Sequence, residues 1–381
     1  MKLCRYGKNG YEKPGMIDAQ GQLRDLSGVI SNIDQETISP SGLAKLRKIR
    51  PESLPLVRGT PRFGVPYTGI SKFVAIGLNY RLHAQESGLP IPLEPVIFNK
   101  WTTSISGPND DILPPKGCTK LDYELELGIV IGSKAQNVSQ DKALAHVAGY
   151  AIVNDVSERA FQLQSSQWDK GKGCDTFGPI GPWLVTRDEV GNPQNLKMWL
   201  DLNGVRYQNG STKTMIFGVA KIVSYVSQFM TLMPGDVITT GTPPGVGMGI
   251  KKNGKPAPIY LKRGDVMQRA GEINPGALDC IATLPADFAA KSEQERRIGL
   301  SKWIANEKNP LTAQPQATYS SACGPRPATT PRPSGMNMPR HTPSGASSST
   351  VVTTGMSSSS ELLPYSVLSP GLVRSTVREL P

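Results

Sequence analysis

Hydrophobic and polar residues alternate in short segments along most of this 381-residue chain, a pattern that predicts strands rather than helices. Turns containing Gly and Pro separate the segments, and two helical patterns interrupt them, Ser139–Ala145 and Phe217–Met230. The predicted strands of the main body are Phe73–Ile76, Val96–Asn99, Leu125–Ile131, Gly149–Asn154, Trp183–Thr186, Met198–Leu202, Val237–Thr240 and Ile259–Leu261. Many short strands with few helices predict a β-rich, mixed β/α fold that is rolled or barrel-like.

The pattern changes at both ends of the chain, which predicts three regions. Residues 1–65 combine short strand-like segments with a helical pattern over Ser41–Ile49, so they are predicted to form a small N-terminal α+β domain. Residues 66–285 form the predicted main domain. Residues 286–381 are predicted to be a largely disordered tail, because a segment rich in Pro, Ser and Thr buries too little apolar surface to offset its ordering entropy.

Composition narrows the class of protein. The net charge is +11, but the basic residues are spread out and form no dense block, so small anionic substrates are favoured over nucleic acid as partners. The five cysteines show no metal-binding spacing, and a reducing cytoplasm is the expected compartment. The N-terminus lacks the apolar core of a signal peptide, and no apolar run is long enough to span a bilayer, so no membrane partner is expected.

Two glutamates lie two residues apart in the segment Leu121–Ile131. Side chains at i and i+2 of a strand share a face, so Glu124 and Glu126 point one way while the neighbouring leucines point the other. Two carboxylates pressed together at the edge of a core repel each other and need a cation. The alternative from this segment alone is an exposed, solvated pair.

Asp155 follows another apolar run, Gly149–Asn154, and is a candidate third ligand. Three carboxylates without His or Cys form an all-oxygen site, which suits Mg²⁺, Mn²⁺ or Ca²⁺ rather than zinc. The alternative is that Asp155 caps the N-terminus of a following helix.

His83 and Glu86 are three residues apart, which makes them neighbours on a helix. Glu86 could hold the imidazole in one tautomer and raise its basicity, giving a general base at neutral pH. The alternative is an ordinary His–Glu pair on the surface.

Further polar side chains could bind an anionic substrate. Arg159 and Gln162 share a helix face if their segment is helical, and Lys172 lies in a Gly-rich segment nearby. Beside a carboxylate-bound cation such donors would support a developing enolate, although each alone is more commonly solvated. The turn Thr239–Gly249 lacks the spacing of a nucleotide-binding loop and is predicted to present Thr242 to a pocket.

Together these segments closely resemble the fumarylacetoacetate hydrolase family. Any one of them is a weak signal, but the ordered set is specific and covers roughly residues 1–267. The segments that carry the resemblance are Gly77–Glu86, Asp122–Leu127, Asn154–Arg159, Gly171–Pro179 and Pro234–Pro243. The resemblance implies a β-sandwich roll, usually a homodimer, that binds Mg²⁺ or a similar cation.

The resemblance also implies roles for the matching residues. Glu124, Glu126 and Asp155 match the family's metal ligands, and His83 with Glu86 matches its water-activating dyad. The positions that match substrate contacts or enolate support are Lys100, Arg159, Gln162, Lys172 and Thr242. The implied reaction is hydrolysis of the C–C bond of a 2,4-dioxo acid, which yields pyruvate or another 2-oxo acid and a carboxylic acid.

Within the family the chain looks most like the bacterial branch that hydrolyses 2,4-didehydro-3-deoxy-rhamnonate or -fuconate. That branch also contains members named ureidoglycolate lyase, and the same platform serves isomerases and oxaloacetate decarboxylases, so these activities are alternatives. A basic interaction protein with an inactive body is an alternative of another class, motivated by the charge and the tail. The family pattern ends in a closing strand, whereas Met267–Gly276 reads as a poor strand, which predicts incomplete closure of the roll.

Overall fold

Strands make up most of the computed structural model, which describes residues 1–271 and 373–378. The strands are β1 (Lys2–Tyr6), β2 (Lys13–Ile17), β3 (Leu23–Asp25), β4 (Phe73–Gly77), β5 (Val96–Lys100), β6 (Ile105–Ser106), β7 (Leu121–Asp122), β8 (Leu125–Ile131), β9 (Val147–Asn154), β10 (Ser157–Glu158), β11 (Gly178–Pro179), β12 (Leu184–Thr186), β13 (Lys197–Leu202), β14 (Val205–Ser211), β15 (Val237–Thr239), β16 (Lys251–Lys252), β17 (Lys255–Pro256), β18 (Val266–Gly271) and β19 (Val373–Thr376). The helices are α1 (Pro40–Leu46), α2 (Arg81–Glu86), α3 (Gln140–Ala143), α4 (Arg159–Gln162), α5 (Asp169–Lys172), α6 (Arg187–Val190) and α7 (Val219–Phe229). The prediction of a β-rich, mixed β/α fold is confirmed.

A mixed sheet of nine strands has the order β3-β2-β1-β12-β9-β8-β15-β4-β5. β15 and β4 run parallel, and the other neighbouring pairs of this sheet are antiparallel. Its middle strands β8 and β9 are buried along their whole length, as their apolar composition allows. The polar side chains in these strands, such as Glu126 and Asn154, therefore need partners inside the protein.

The N-terminal strands extend this sheet, because β1 pairs with β12. Apolar residues of the N-terminal region, such as Leu3 and Met16, pack in one cluster with Val130, Ala148 and Leu184 of the main sheet. Helix α1 begins after Ser39, whose Oγ accepts a hydrogen bond from Gly42 N at 3.1 Å. The separate N-terminal domain over residues 1–65 stays a prediction.

A second sheet of four strands has the order β14-β13-β18-β19. β18 pairs with β13, with Leu202 opposite Met267, and its other edge pairs with β19. The prediction of a poor strand over Met267–Gly276 is therefore wrong for the part within β18, where partner strands on both sides satisfy the backbone. Residues 272–276 lie outside the described residues.

Strand β19 belongs to the region predicted to be a disordered tail, and the sequence analysis did not predict it. Ile112 joins this segment to the main body, because its N–H donates to Thr376 O and its carbonyl accepts from Arg378 N. Val377 is buried, and Arg378 Nε lies 3.0 Å from Asp111 Oδ2. The rest of the predicted tail, and the end of the predicted main domain after residue 271, lie outside the described residues.

Two further element predictions have opposite outcomes. The sequence predicts a strand over Ile259–Leu261, but these residues only donate single hydrogen bonds to Gly247 O and Leu121 O and join no ladder. The predicted helix Phe217–Met230 is α7. Within the described residues, no helix is long and apolar enough to cross a membrane.

Arg269 in β18 is a buried cation with few partners. Its side chain is fully buried, and its Nη2 donates to Pro108 O at 3.1 Å and to Ser375 Oγ at 3.0 Å. Among the described residues, its Nε and Nη1 have no hydrogen-bond partner. Burial lowers the pKa of this guanidinium to about 9, so the folded protein at pH 7 carries the cost of a cation removed from water.

Replacing Arg269 with methionine is expected to raise the free energy of unfolding by about 1–4 kcal/mol, as when other buried ionic groups are replaced by apolar ones. Ser375 Oγ donates to Pro108 O at 3.0 Å, so that carbonyl keeps a partner in the variant. Urea unfolding at pH 7 measures the change, with exposed Arg58→Met as the control, expected to stay within about 0.5 kcal/mol of the wild type. If Arg269→Met instead lowers the free energy of unfolding, the contacts of the guanidinium stabilise the protein by more than its burial costs.

Candidate metal centre and active site

Three buried carboxylates meet where β8 begins and β9 ends. Glu126 lies in β8, Glu124 directly before it, and Asp155 directly after β9. Because Leu125 pairs with Asn154, the flanking residues come together, and Asp155 N donates to Glu124 O at 2.9 Å. Each of the three acidic residues offers one carboxylate oxygen, and these oxygens lie within 4.8 Å of one another.

The structure excludes two of the alternatives for these carboxylates. Glu124 and Glu126 are only 4 % and 1 % exposed, so the solvated pair is wrong. The carboxylate that caps α4 is that of Glu158, which accepts from Ala160 N at 3.0 Å, so Asp155 is not the cap.

Glu124 and Glu126 have opposite electrostatic surroundings. Burial alone would raise the pKa of Glu124, but the charges of Lys172 and Arg159 hold it well below its usual range. Burial, together with the charges of Asp155 and Glu124, raises the pKa of Glu126 well above its usual range. Glu126 is therefore the carboxylate that would gain most from a bound cation.

Two buried lysines contact the cluster. Lys172 Nζ donates to Glu124 Oε2 at 2.6 Å and to Asp155 Oδ2 at 2.8 Å. Lys100 Nζ donates to Asp155 Oδ1 at 2.6 Å, and also to the carbonyls of Lys172 and Val156. Burial lowers the pKa of Lys100, whereas the carboxylates around Lys172 outweigh burial and raise its pKa. Lys172 is thus held as a cation beside the carboxylates of Glu124 and Asp155.

Arg159, the first residue of α4, hydrogen-bonds the carboxylate cluster and two neighbouring side chains. Its Nη2 donates to Glu124 Oε1 at 2.6 Å and its Nε to Asp122 Oδ2 at 2.8 Å. Its Nη1 donates to Gln162 Oε1 at 3.0 Å. Burial would lower the pKa of Arg159, but Glu124 and Asp122 raise it above its usual range. All three guanidinium nitrogens therefore already donate to protein groups.

His83 and Glu86 lie on one face of α2, with His83 Nδ1 2.8 Å from Glu86 Oε1. An ionised carboxylate only accepts hydrogen bonds, so Nδ1 is the donor and Nε2 is left as the basic nitrogen. His83 is buried and lines the same cavity as Glu124 and Glu126, which excludes the surface-pair alternative. The imidazole is thus placed to take a proton from a water in this cavity.

The loop that follows β15 contacts the Glu86 carboxylate. Gly245 N donates to both Glu86 carboxylate oxygens, at 3.2 and 3.0 Å. Gly245 has a φ of +103°, and a Cβ there would lie 2.0 Å from Tyr207 O, so the position requires glycine. A Cβ on Gly249 would lie 2.7 Å from Glu86 Cδ. The loop therefore fixes Glu86, and through it the orientation of His83.

Through Thr242, the same loop also contacts strand β8, which contains Glu126. Thr242 Oγ1 donates to Leu125 O at 2.9 Å and accepts from Gln208 Nε2 at 2.7 Å. Gly241 N donates to Glu126 Oε2 at 2.8 Å. These bonds fix the start of β8, where the carboxylates lie.

Asp122 is a buried site residue that sequence reasoning missed. Its carboxylate accepts from Gly247 N at 2.7 Å and Met248 N at 3.0 Å, as well as from Arg159 Nε. It therefore connects Arg159, and with it the carboxylate cluster, to the loop that contacts Glu86. No local pattern in the sequence signals this role, because Asp122 lies among other charged residues and its partners Arg159, Gly247 and Met248 are distant in the sequence.

A cavity of about 160 Å³ brings most of the predicted residues together. Those that line it are His83, Glu124, Glu126, Arg159, Gln162, Lys172 and Thr242. The others are bonded to the wall from outside it: Glu86 to His83, and Lys100 and Asp155 to each other and to Lys172. Apolar side chains complete the lining, namely Ile76, Leu78, Leu89, Phe98, Leu163, Trp168 and Met248. The cavity thus combines a cation-binding cluster, a base and an apolar surface.

Comparison with known proteins identifies the family. The family model described as fumarylacetoacetate (FAA) hydrolase C-terminal matches residues 72–278, more than half of the chain. The chain belongs to the fumarylacetoacetate hydrolase family. The resemblance and the fold class predicted from the sequence are confirmed. Members of this family depend on a divalent metal, and the buried carboxylate triad gives this member a place to bind one.

Relatives of this family member are bacterial enzymes of more than one kind. A Burkholderia cenocepacia protein, named only as a hydrolase, is 59 % identical over 269 residues, which are 70 % of this chain and 94 % of the relative. The structure of fumarylacetoacetate hydrolase from Exiguobacterium antarcticum has a TM-score of 0.60 at 34 % identity and covers 71 % of this chain and 95 % of its own. That of 2-hydroxyhepta-2,4-diene-1,7-dioate isomerase from Mycobacterium marinum has a TM-score of 0.53 at 32 % identity, with coverages of 71 % and 94 %.

Proposed function

We propose that this protein is a divalent-metal-dependent hydrolase that cleaves the C–C bond of a 2,4-dioxo acid, giving pyruvate or another 2-oxo acid and a carboxylic acid. The shared cavity carries the proposal, because Glu124, Glu126 and His83 line it together and Glu86 orients His83. A cation site and a general base around one small space are what hydrolysis of a chelating acid requires. The resemblance suggests a 2,4-didehydro-3-deoxy sugar acid as the substrate.

A divalent cation fits the three carboxylates, which would hold it. The oxygen-only donor set favours Mg²⁺, with Mn²⁺ or Ca²⁺ as alternatives. Burial and two neighbouring carboxylates raise the pKa of Glu126, so a cation bound here would stabilise its ionised form. When bound, the cation would polarise the oxygens of a 2-oxo acid and neutralise charge that develops on them.

The chain's own residues supply the proton transfers. His83 Nε2 takes a proton from water as the water oxygen bonds to the C4 carbonyl carbon, and Glu86 steadies the imidazolium. When the C3–C4 bond breaks, its electron pair passes to the enolate of the 2-oxo acid, and the carboxylic acid is released. Carbon C3 then takes the proton back from His83. The ammonium group of Lys172, in the cavity wall, lies beside the developing negative charge.

Isomerisation is the second candidate function. The names of two solved relatives are those of isomerases, 2-hydroxyhepta-2,4-diene-1,7-dioate isomerase and 5-carboxymethyl-2-hydroxymuconate delta-isomerase. In that reaction His83 would move a proton between two carbons without the addition of water. The ureidoglycolate lyase and oxaloacetate decarboxylase alternatives rest on the family resemblance alone.

A product screen tests the proposal. Full-length protein is incubated with a panel of 2,4-dioxo acids, including sugar acids, in Mg²⁺ or in EDTA, and pyruvate and carboxylic acid are quantified. Equal amounts of both products are expected in Mg²⁺ and none in EDTA or with Glu124→Gln, while exposed Glu52→Gln matches the wild type. No release from any acid would contradict the proposal. A change in absorbance without release would favour isomerisation, and glyoxylate with urea from ureidoglycolate would favour a lyase.

Gly249→Ala is expected to lower kcat/KM by about 10-fold with little change in Mg²⁺ affinity. The added methyl group would push the Glu86 carboxylate away from His83, and a shift of about 1 Å in a catalytic arrangement can cost up to about 100-fold. Gly28→Ala is the control, because nothing lies within 4 Å of a Cβ at that position. Unchanged kcat/KM in Gly249→Ala would mean that the position of Glu86 does not limit the reaction.

A further inference from the structure

The cavity wall has two chemically different parts. The charged part contains Glu124, Glu126, Arg159 and Lys172, which bind a cation and an acid in the proposed reaction. The other part is apolar, and four of its side chains, Leu89, Phe98, Leu163 and Trp168, are here called the apolar wall. The proposed proton transfers and cation binding leave the apolar wall without a role.

Phe98 and Trp168 form the centre of the apolar wall. Their rings meet edge to face, with centroids 5.3 Å apart. Trp168 packs against Gly77, where a Cβ would lie 2.5 Å from the indole Cζ3, so glycine at this position allows the close approach. Lys172 Nζ lies 5.2 Å from the Phe98 ring centroid. The apolar wall therefore begins directly beside the charged part, within reach of a single small molecule.

Leu89 and Leu163 extend the apolar wall to the surface. They are 44 % and 64 % exposed, although both line the cavity. A single exposed leucine needs no explanation, but two that line the same cavity as an aromatic pair offer apolar area to a ligand. An apolar substituent placed against them would remove their surface and its own from water, which favours binding.

The apolar wall offers a hydroxylated substituent few hydrogen-bond partners, because its leucine and phenylalanine side chains have no polar atom. The Thr242 hydroxyl already donates to a backbone carbonyl and accepts from a glutamine amide. Each guanidinium nitrogen of Arg159 already donates one hydrogen bond to a protein side chain, which uses three of its five N–H groups. Ser87 adds one hydroxyl next to Leu89 in the lining. A hydroxyl group that leaves water without a new partner loses binding free energy.

We infer that the 2,4-dioxo acid carries a small apolar substituent, alkyl or aryl, on its C4 carbonyl and that the apolar wall binds this substituent. The inference rests on the proposed function, which places the 2-oxo acid end of the substrate at the carboxylates. It differs from the sugar acid that the family resemblance suggests, whose C4 substituent carries hydroxyl groups. The volume of about 160 Å³ restricts the substituent to a small one, because pockets for drug-sized ligands measure about 300–1,000 Å³.

A matched pair of substrates tests the inference. In 5-methyl-2,4-dioxohexanoate and 5-hydroxy-2,4-dioxohexanoate, one methyl group replaces one hydroxyl group next to the C4 carbonyl. kcat/KM is measured for both with the full chain and Mg²⁺, and Kd is measured by calorimetry with the His83→Gln protein, which needs no cleavage. The methyl acid is expected to have about 10- to 100-fold higher kcat/KM and a lower Kd by a similar factor, since apolar pockets discriminate such groups to about this extent.

Substitutions in the apolar wall test whether its side chains cause the preference for the methyl acid. Leu89→Ser and Leu163→Ser change exposed positions, so folding is not at risk, and each is expected to reduce the methyl-to-hydroxyl ratio by about 3- to 10-fold. Leu93→Ser is the control, because Leu93 is 99 % exposed in the loop of Leu89 and is not part of the cavity lining. The control should keep the ratio of the wild type.

The outcomes separate the inference from the proposed function. Equal or reversed preference in kcat/KM and Kd overturns the inference but leaves hydrolysis intact. If neither acid is cleaved, the full panel of 2,4-dioxo acids decides whether the proposed function fails, and the ratio of Kd values decides the preference by itself. A preference that is the same in the wild type and in all three serine variants overturns the assignment to the apolar wall.

Discussion

Replacing Glu126 with glutamine is expected to abolish activity and the stabilisation by Mg²⁺, and at the same time to make the metal-free protein more stable. Without metal, Glu126 is a buried carboxylate beside Asp155 and Glu124, and these surroundings raise its pKa because its charge is unfavourable there. Glutamine has the same shape, and its Oε1 can still accept the hydrogen bond from Gly241 N. The variant therefore loses a repulsion in the absence of metal and a ligand in its presence.

Thermal unfolding in EDTA and in Mg²⁺ measures both effects for Glu126→Gln. A ligand at 100 times its Kd adds about 2.7 kcal/mol of stability to the wild type, and most of this gain should vanish in the variant. Activity should fall by more than about 100-fold, because even a residue that only hydrogen-bonds a metal ligand costs about 10- to 100-fold when it is removed. A normal Mg²⁺ response in the variant would show that Glu126 is not a ligand.

Glu124→Gln is the matched comparison, because it removes the other glutamate of the pair. The Glu124 carboxylate accepts from Lys172 and Arg159, so its loss leaves two buried cations short of a partner and should destabilise the metal-free protein. The two variants should therefore shift the unfolding temperature in EDTA in opposite directions, while both lose the response to Mg²⁺. Shifts of the same sign would contradict the electrostatic difference between the two carboxylates.

The carboxylate cluster could be predicted from the sequence because two local patterns define it. The alternation around Glu124 and Glu126 places both side chains on one face of a strand, and Asp155 ends a second apolar run. The pairing of these two runs in the structure, with Leu125 opposite Asn154, brings the three acids together. The alternation of polar and apolar residues predicts where a strand lies and which side chains share a face, because it depends only on residues that are neighbours in the sequence.

The hydrogen bonds that hold the residues around the carboxylate cluster could not be predicted from local sequence patterns. Asp122, Glu158 and Gln208 bind mainly backbone groups, and most of these are distant in the sequence, as when Asp122 accepts from Gly247 N. Such contacts leave no local pattern, since a backbone N–H is the same for nearly every residue. The partner residue can therefore be found only in the folded structure.

The errors in strand prediction have a related cause. β18 contains Gln268 and Arg269, which weaken its local pattern, but it pairs along both edges with β13 and β19. Residues Ile259–Leu261 have a strong local pattern but donate only single hydrogen bonds, to Gly247 O and to Leu121 O of β7, and join no sheet. Strand formation thus depends on the partners available in the fold as well as on the propensity of the segment.

His83→Gln is expected to lower kcat by about 10²- to 10⁴-fold and to leave Mg²⁺ binding almost unchanged. A positioned general base contributes about this factor, and glutamine keeps a similar volume while it removes the basic nitrogen. The acid side of the pH profile of kcat/KM reports the ionisation of the essential base in the free enzyme, so this limb should disappear in the variant. Glu86→Gln keeps the imidazole and should cost less than His83→Gln.

His146→Gln is the control for His83→Gln, because His146 lies outside the cavity, with its Nδ1 3.1 Å from Ser133 Oγ. It should keep the activity and the pH profile of the wild type. Calorimetric titration with Mg²⁺ separates a lost base from a damaged metal site, since the three ligand carboxylates are intact in His83→Gln. Loss of Mg²⁺ binding in that variant would assign His83 to the metal site, and normal kcat would assign proton abstraction to another group. Activity lost together with the acid limb, at normal Mg²⁺ affinity, is the combination that only a general base at position 83 explains.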